Sequence, residues 1–144
     1  MALLDWITEA SGPVVKGQGV ILRMPRGSDY EAWAELRHAS QAYLQPWEPL
    51  WPDDDLTRGA YRRRMSVYQR EMEAGNAWPF FVFAERDRQL LGAITLSNVR
   101  RGVAEMATLG YWIGQRHAGR GFGTAAVRAA VDYAFDGLRL HRVE

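Results

Sequence analysis

The sequence predicts an α+β domain in which helices flank a mixed β-sheet. Two observations support this fold class. Short apolar stretches alternate with a period of two, as strands do, and longer stretches place apolar residues at helical spacing. In chain order these segments read strand, helix, helix, three strands, helix and strand. The 144 residues are enough for one domain with its own core. We expect residues 1–18 to form an N-terminal segment and residues 19–144 to form the domain.

Composition and charge argue against several classes of function. The formal net charge of +1 gives no strong attraction to nucleic acid or to a membrane. The chain contains no cysteine, which excludes disulfides, thiolate metal sites and a cysteine nucleophile. No apolar run is long enough for a membrane span. The N-terminus carries Asp5 and Glu9 without a basic start, unlike a signal peptide. We therefore expect a cytoplasmic protein that contacts neither nucleic acid nor membrane directly.

The three histidines are far apart in sequence and lack the spacing of metal ligands, so no metal site is predicted. His117 lies in a basic loop, where it could contact a phosphate, but it is expected to face water.

The first strand is predicted at residues 19–24, after a loop with the sequence GPVVKGQG. A helix follows, capped by Ser28 or Asp29, because short polar side chains accept hydrogen bonds from the first turn of a helix. Trp33 and Leu36 share one face of this helix and are expected in the core.

The next segment, QPWEPLWPDDD, is predicted to be an irregular loop, because its prolines disrupt helices and strands. Trp47, Glu48 and Trp51 lie in this loop. Two interpretations are open: the tryptophans cover part of the core, or they line an acceptor pocket that contains Glu48. A second helix is expected over residues 54–74, capped by the acidic residues 53–55, with the arginines at 62–64 facing solvent.

The second half of the chain contains more strands than helices. A turn at Asp87 and Arg88 joins two of the strands into a hairpin, and Gly137 ends the helix. The predicted elements are strands at 77–85, 90–99 and 104–113, a helix at 122–136 and the start of another strand at 138.

The stretch LGYWIGQRHAGRGFGT, residues 109–124, leads from a strand through a glycine-rich loop to a helix start. The first N–H groups of a helix have no partner within it and carry the positive end of the helix dipole, so such a junction can bind a phosphate. Arg116 and Arg120 add positive charge. A tight connection without a ligand is the alternative, and a P-loop is excluded because no Gly-Lys-Ser/Thr follows. Three glycines would let a ligand approach the backbone: Gly119, Gly121 and Gly123.

These residues resemble the acetyl-CoA-binding motif of the GNAT acetyltransferases, in which a glutamine or arginine precedes x-x-Gly-x-Gly/Ala at a helix start. The preferred register places Gly121 and Gly123 on the small positions and Ala118 on the polar one, and an alternative register begins at Arg116. The resemblance implies a GNAT fold, acetyl-CoA as co-substrate and no metal. It implies cofactor contacts from Tyr111, Trp112, Ile113, Arg116, Gly119, Arg120, Gly121, Phe122, Gly123 and Thr124.

Three stretches, QPWEPLWPD, GAITLSNVRRG and LGYWIGQ, together resemble the RimJ-like branch of this family, the ribosomal-protein-alanine N-acetyltransferases. Members of that branch acetylate the N-terminal α-amine of a ribosomal protein. The resemblance therefore implies N-terminal protein acetylation, with Trp47, Trp51 and Asn98 at the acceptor site.

The reaction requires an amine that has lost its proton, and an α-amine with a pKa near 8 needs only modest help. Glu48 and Glu105 are the candidate bases, acting through water. The alternative for Glu48 is a hydrogen-bond acceptor within its loop, and the alternative for Glu105 is a solvated residue at a strand end. Several relatives carry a glutamate at the position of Thr108, which cannot act as a base at neutral pH. A backbone N–H of the strand at 104–113 would polarise the thioester carbonyl.

Family members continue beyond the position of Glu144 with a strand, a helix and a hairpin, which carry the groups that protonate the leaving thiolate. We therefore expect a domain that is incomplete at its C-terminus and lacks an assignable general acid. Such a chain would aggregate or form a homodimer through its uncovered sheet edge, and it would show little turnover.

Two other functions compete with protein acetylation. One is a GNAT enzyme that acetylates a small amine, such as a polyamine or an aminoglycoside. The other is a binding module that senses acyl-CoA without turnover. An acidic pocket lining would favour a polyamine, and an open groove would favour a peptide.

Overall fold

A six-stranded sheet forms the centre of the fold, with its strands in chain order. The computed structural model describes residues 12–144, so the expectation based on Asp5 and Glu9 lies outside the described residues. The strands are β1 (Val14–Lys16), β2 (Val20–Arg23), β3 (Trp78–Ala84), β4 (Leu90–Arg100), β5 (Met106–Ile113) and β6 (Arg142–Val143). The helices are α1 (Tyr30–Ala39), α2 (Gln41–Leu44), α3 (Arg58–Glu73) and α4 (Phe122–Asp132).

Strands β1 to β5 pair antiparallel, and β5 pairs with β6 in parallel, which confirms the predicted mixed sheet. The sheet begins before the predicted start of the domain, because β1 occupies part of the stretch that we expected to be a loop. Val14 pairs with Arg23 of β2, and Gly17 closes the turn by donating its N–H to the carbonyl of Val20 at 2.9 Å. A strand of three residues is too short to show an alternation of apolar and polar residues. It forms as a strand because it pairs with β2.

Neither predicted residue caps helix α1 through its side chain. Asp29 is at the N-cap position, but its carboxylate accepts hydrogen bonds from the two Nη atoms of Arg23 at 2.8 and 2.9 Å and from the N–H of Arg26 at 3.0 Å. Ser28 lies in a preceding turn of 3₁₀ helix. An unpaired buried arginine costs more free energy than an uncapped helix end, so Asp29 pairs with Arg23 instead of capping the helix.

Helix α3 begins later than predicted, because Thr57 rather than an aspartate caps it. The Thr57 Oγ1 accepts a hydrogen bond from the N–H of Ala60 at 3.2 Å. Asp54 and Asp55 instead form ion pairs with Arg63 and Arg64 of the same helix. Arg62 and Arg63 are exposed as expected. The Arg64 guanidinium is partly buried and stacks over Trp33, so the arginine run is not a uniformly solvated face.

Successive residues of β3 point to opposite faces of the sheet. Both faces are covered by packed side chains. Phe80 and Val82 pack with the alanines of α4. Phe81 and Phe83 pack with Trp33 and Leu36 of α1, which confirms the predicted core positions, and with Tyr61 of α3. Burial on both faces explains why β3 reads as a continuous apolar run rather than an alternating one.

The C-terminal half matches the predicted order of elements. β3 and β4 form the expected hairpin, and the segment joining β5 to α4 contains the glycine-rich loop. β5 begins at Met106 rather than at residue 104, since Glu105 has a φ of 41° and lies in the turn. In the part of the chain from residue 12 on, no helix is both long and apolar enough to cross a membrane.

Candidate active site

A cavity of about 510 Å³ lies between the end of β5 and the start of α4. Its walls include Tyr111, Trp112 and Ile113 from β5 and Phe122 to Thr124 from α4. Tyr43, Leu44, Trp47 and Glu48 close the side that faces the proline-rich loop. We call this space the cofactor cavity, because the sequence motif predicts that residues of its walls contact acetyl-CoA.

The helix start that borders the cofactor cavity depends on glycine. Gly119 and Gly121 have φ angles of 73° and 84°, which glycine adopts without strain. Gly121 is the N-cap of α4. A Cβ at either position would meet no atom within 4 Å, so the backbone there faces open space.

Gly123 has a different role, because it lets the helix approach the strand. A Cβ at this position would lie 3.3 Å from Tyr111 Cε2 and 3.5 Å from Ile113 Cγ1. The first turn of α4 and its N–H groups are thereby held close to β5. The predicted glycine loop thus consists of two turn glycines and one packing glycine.

The hydrogen bonds of β5 show which of its N–H groups face the cofactor cavity. The Leu109 N–H donates to Glu144 on the β6 side, and the Gly114 N–H donates to Leu91 of β4. Because N–H groups alternate in direction along a strand, those of Tyr111 and Ile113 point away from β4, as that of Leu109 does. These two N–H groups are therefore on the edge that borders the cavity.

The two arginines predicted to contact the cofactor are not among the residues that line this cavity. Arg116 makes a two-pronged ion pair with Glu35 of α1, with distances of 2.9 and 2.6 Å. This hydrogen-bonded guanidinium lowers the pKa of Glu35. Arg120 lies over the ring of Phe122 and borders a neighbouring pocket with Lys16. The ion pair with Glu35 holds the Arg116 side chain away from the cofactor cavity. Spacing along the sequence does not show this pair, because Glu35 lies on another element.

His117 was expected to face water, but it is 3% exposed and lines the cofactor cavity. Neither of its ring nitrogens has a hydrogen-bond partner among the described residues. Burial lowers the pKa of the imidazole, and the charges of Arg116 and Arg120 act in the same direction. Its surroundings therefore favour the uncharged form of the ring.

A second cavity, of about 570 Å³, lies on the other side of Glu48. We call it the acceptor cavity, because Trp51 of its lining is predicted at the acceptor site. Its floor includes Thr95, Ser97 and Thr108 from β4 and β5, and Trp51 forms part of its wall. Three residues line both cavities: Glu48, Tyr111 and Trp112. The two cavities therefore share a wall that contains a carboxylate.

The carboxylate of Glu48 is held by three hydrogen bonds. The Nη1 and Nη2 atoms of Arg37 donate to its Oε2 and Oε1 at 3.1 and 3.0 Å, and the indole N–H of Trp51 donates to Oε1 at 2.8 Å. Nothing in the sequence pairs Arg37 with Glu48, which lie on different elements. The sequence does indicate that Arg37 is buried, because Arg37 lies four residues after Trp33 on the same face of α1.

Charge in the acceptor cavity is balanced. Glu48 pairs with Arg37, and Asp55 pairs with Arg64 at 3.0 Å, while the other lining residues are uncharged. The cavity thus contains no carboxylate without a cationic partner.

Three other predicted site residues have different surroundings. Glu105 and Asn98 line neither cavity. Glu105 binds Arg101 and the N–H of Gly102 in the β4–β5 turn. Asn98, with a φ of 50°, lies where the register of β4 shifts. Trp47 is 83% exposed and borders the cofactor cavity, so it does not cover the core.

Comparison with known proteins gives consistent matches. A family model described as an acetyltransferase (GNAT) domain matches residues 20–144. The protein named "Probable N-acetyltransferase YjcK" from Bacillus subtilis is 32% identical over 131 residues, which cover 91% of this chain and 72% of that protein.

Of two further matches, the first is named for a ribosomal protein. The [ribosomal protein uS5]-alanine N-acetyltransferase of Escherichia coli is 31% identical over 80% of this chain and 60% of its own length. The solved structure of Mycobacterium smegmatis RimJ in complex with CoA-disulfide superposes with a TM-score of 0.82 at 30% identity. That match covers 91% of this chain and 64% of RimJ. The chain therefore spans less than two thirds of these two proteins.

Proposed function

Because the chain belongs to the GNAT acetyltransferase family, we propose that it transfers the acetyl group of acetyl-CoA to an amine by direct attack on the thioester. The observation that carries this proposal is the meeting of two cavities at Glu48, Tyr111 and Trp112. Such a wall lets a thioester and an amine approach each other from opposite sides, and positioning of this kind supplies much of the rate of acyl transfer.

The pyrophosphate of the cofactor would bind at the N–H groups of residues 119–124, where the helix dipole favours negative charge. The pantetheine arm would run along Tyr111, Trp112 and Ile113. The N–H of Tyr111 or Ile113, which faces away from β4, would then donate to the thioester oxygen as negative charge develops there. The solved structure of M. smegmatis RimJ contains a CoA-disulfide, which supports CoA as the type of cofactor.

Glu48 is the residue that we assign to the amine. It borders both cavities, whereas the other candidate base, Glu105, is bound within the β4–β5 turn. Glu48 would accept a hydrogen bond from the attacking amine and take up its proton, directly or through a water molecule. The carbon–sulfur bond of the thioester would then break and release CoA as a thiolate, which takes up a proton from solvent. Thr108 lines the acceptor cavity, where its hydroxyl can hydrogen-bond but cannot act as the base.

The acceptor that we propose is the N-terminal α-amine of a protein, with a ribosomal protein as the first candidate. The paired charges of the acceptor cavity support a substrate with one amine over a polyamine, whose several ammonium groups would require unpaired carboxylates. The E. coli relative, named for ribosomal protein uS5, favours a ribosomal acceptor. Acetylation of such an acceptor would take place in the cytoplasm.

An acetyl-transfer assay on this chain tests the proposal. Peptides that begin with alanine or serine would be compared with spermidine and an aminoglycoside at equal concentrations of acetyl-CoA. We expect the peptides to be acetylated with the highest kcat/KM. A higher kcat/KM for spermidine would overturn the assignment of the acceptor. Tight CoA binding without turnover of any amine would favour a non-catalytic acyl-CoA-binding module.

A further inference from the structure

We propose that Arg37 is a positioning residue that orients Glu48 and holds the proline-rich loop against β5. This proposal rests on the function proposed above for Glu48. Arg37 belongs to α1, Glu48 to the loop and Trp112 to β5, so one side chain joins three elements that form the wall between the cavities.

The guanidinium group of Arg37 lies over two indole rings. Its central carbon lies 4.0 Å from the ring centre of Trp51 and 4.9 Å from that of Trp112. Arginine stacks well on aromatic faces because its planar cation is weakly hydrated. The side chain of Arg37 is 8% exposed and that of Glu48 is 22% exposed, so water screens this ion pair less than a surface pair.

The two rings fix the plane of the guanidinium, and the guanidinium fixes the direction of the carboxylate. A two-pronged pair between arginine and a carboxylate allows little rotation of either group. Glu48 therefore presents its carboxylate in one orientation to both cavities. A lysine at position 37 could supply the charge but not the planar fork.

This geometry also distinguishes the two oxygens of Glu48. Oε1 accepts hydrogen bonds from Arg37 and from Trp51, which uses its two lone pairs. Oε2 accepts one hydrogen bond from Arg37 and retains a second lone pair. The amine or its bridging water would therefore bind at Oε2, and Arg37 determines which oxygen receives it.

The loop provides a separate reason for this role. Trp47, which precedes Glu48, and Leu50, two residues after it, are each 83% exposed, so their side chains contribute little packing. Glu48 and Trp51 of the proline-rich loop both contact Arg37. Loss of the Arg37 contacts should therefore release the segment and move the carboxylate.

A double-mutant cycle in acetyl transfer to a peptide tests the proposal. Arg37→Met should lower kcat/KM by roughly 10- to 100-fold, the scale of a small misplacement of a reacting group. In the Glu48→Gln background, Arg37→Met should lower kcat/KM by less than about threefold, because the carboxylate that Arg37 positions is already absent. Arg37→Lys should also fail to restore activity. Equal costs in both backgrounds, or full activity of Arg37→Lys, would overturn the proposal.

Arg64→Met is the matched control. Arg64 also stacks on a tryptophan and pairs with a carboxylate in the acceptor cavity, but it does not contact Glu48. Arg64→Met should change kcat/KM by the same factor in the parent chain and in the Glu48→Gln background. A cycle in which Arg64 and Arg37 behave alike would assign both to general packing and overturn the proposal.

Hydrogen exchange supplies a readout that needs no turnover. In Arg37→Met and Arg37→Lys, the amides of residues 45–57 should exchange faster, while CoA affinity should change less than about threefold. Unchanged exchange in this segment would overturn the proposal. An inactive wild-type chain with faster exchange in the variants would contradict the proposed function and still support the positioning role of Arg37.

Discussion

A single carboxylate, Glu48, lies where two cavities meet, and three hydrogen bonds hold it there. Glu48→Gln keeps the size of the side chain and removes its ability to take up a proton. We expect kcat/KM for a peptide acceptor to fall by about 100-fold, the typical contribution of a general base. The affinity for CoA, measured by calorimetry, should change little.

Asp55→Asn is the control for this prediction, because Asp55 is also paired with an arginine in the acceptor cavity. It should cost less activity than Glu48→Gln, since Asp55 does not border the cofactor cavity. A loss below about threefold for Glu48→Gln would return Glu48 to a purely structural role.

The buried ring of His117 makes stability depend on pH. Burial and the charges of Arg116 and Arg120 lower the pKa of the imidazole in the folded state, while Asp87 and Glu35 act in the opposite direction with smaller effects. The unfolded chain, with a histidine pKa of about 6.5, therefore takes up the proton first as the pH falls. The free energy of unfolding then decreases on acidification.

His117→Gln should remove part of this decrease. Urea denaturation at pH 7.5 and at pH 5 would measure it, with His38→Gln, at an exposed position of α1, as the control. The difference in free energy of unfolding between the two pH values should be smaller in His117→Gln than in the parent chain. An unchanged difference would contradict the prediction.

At the scale of elements, the junction of β5 and α4 determines the proposed phosphate site. Gly121→Ala would place a methyl group where the backbone now faces open space, at a positive φ. If the pyrophosphate binds there, we expect CoA affinity to fall at least about tenfold, which is about 1.4 kcal/mol. Calorimetric titration of CoA measures the change.

Gly102→Ala is a matched control for this change. Gly102 has a φ of 80°, and a Cβ there would also meet no atom within 4 Å, but the residue lines neither cavity. Both variants carry similar backbone strain. Only Gly121→Ala should lose CoA affinity, and equal affinities of the two variants would place the phosphate elsewhere.

At the scale of the whole molecule, the close pairing of β4 and β5 supports both cavities. A Cβ at Gly92 would overlap the carbonyl oxygen of Trp112 across this pair, and a backbone atom can move aside only if the strands separate. We expect Gly92→Ala to lower the free energy of unfolding by about 1–3 kcal/mol, the usual cost of overpacking, or by more. Chemical denaturation measures this change.

Gly110→Ala is the control for stability, because a Cβ on this residue of β5 would meet no atom within 4 Å. It should leave the free energy of unfolding unchanged or slightly higher, since alanine restricts the unfolded chain. If Gly92→Ala were as stable as Gly110→Ala, the β4–β5 pairing described here would be incorrect.

The sequence by itself determined the features that depend on local spacing. Period-two and helical patterns predicted the β3–β4 hairpin, the core positions of Trp33 and Leu36, and the order of elements from β3 onward. They did not predict the short helix α2. The GNAT motif predicted the family that the matches then showed. The domain boundary at residue 19, the incomplete C-terminus and the homodimer stay predictions.

Tertiary structure decided which charged group meets which partner. Asp29 and Asp55 could each have capped a helix, but each is paired with an arginine, and Arg116 pairs with Glu35 instead of lining the cofactor cavity. Arg37 and Glu48 come together only because α1 and the proline-rich loop pack on the same face of the sheet. Apolar periodicity depends on neighbours along the chain and can be read locally. Charge pairing depends on neighbours in space, which exist only once the chain has folded.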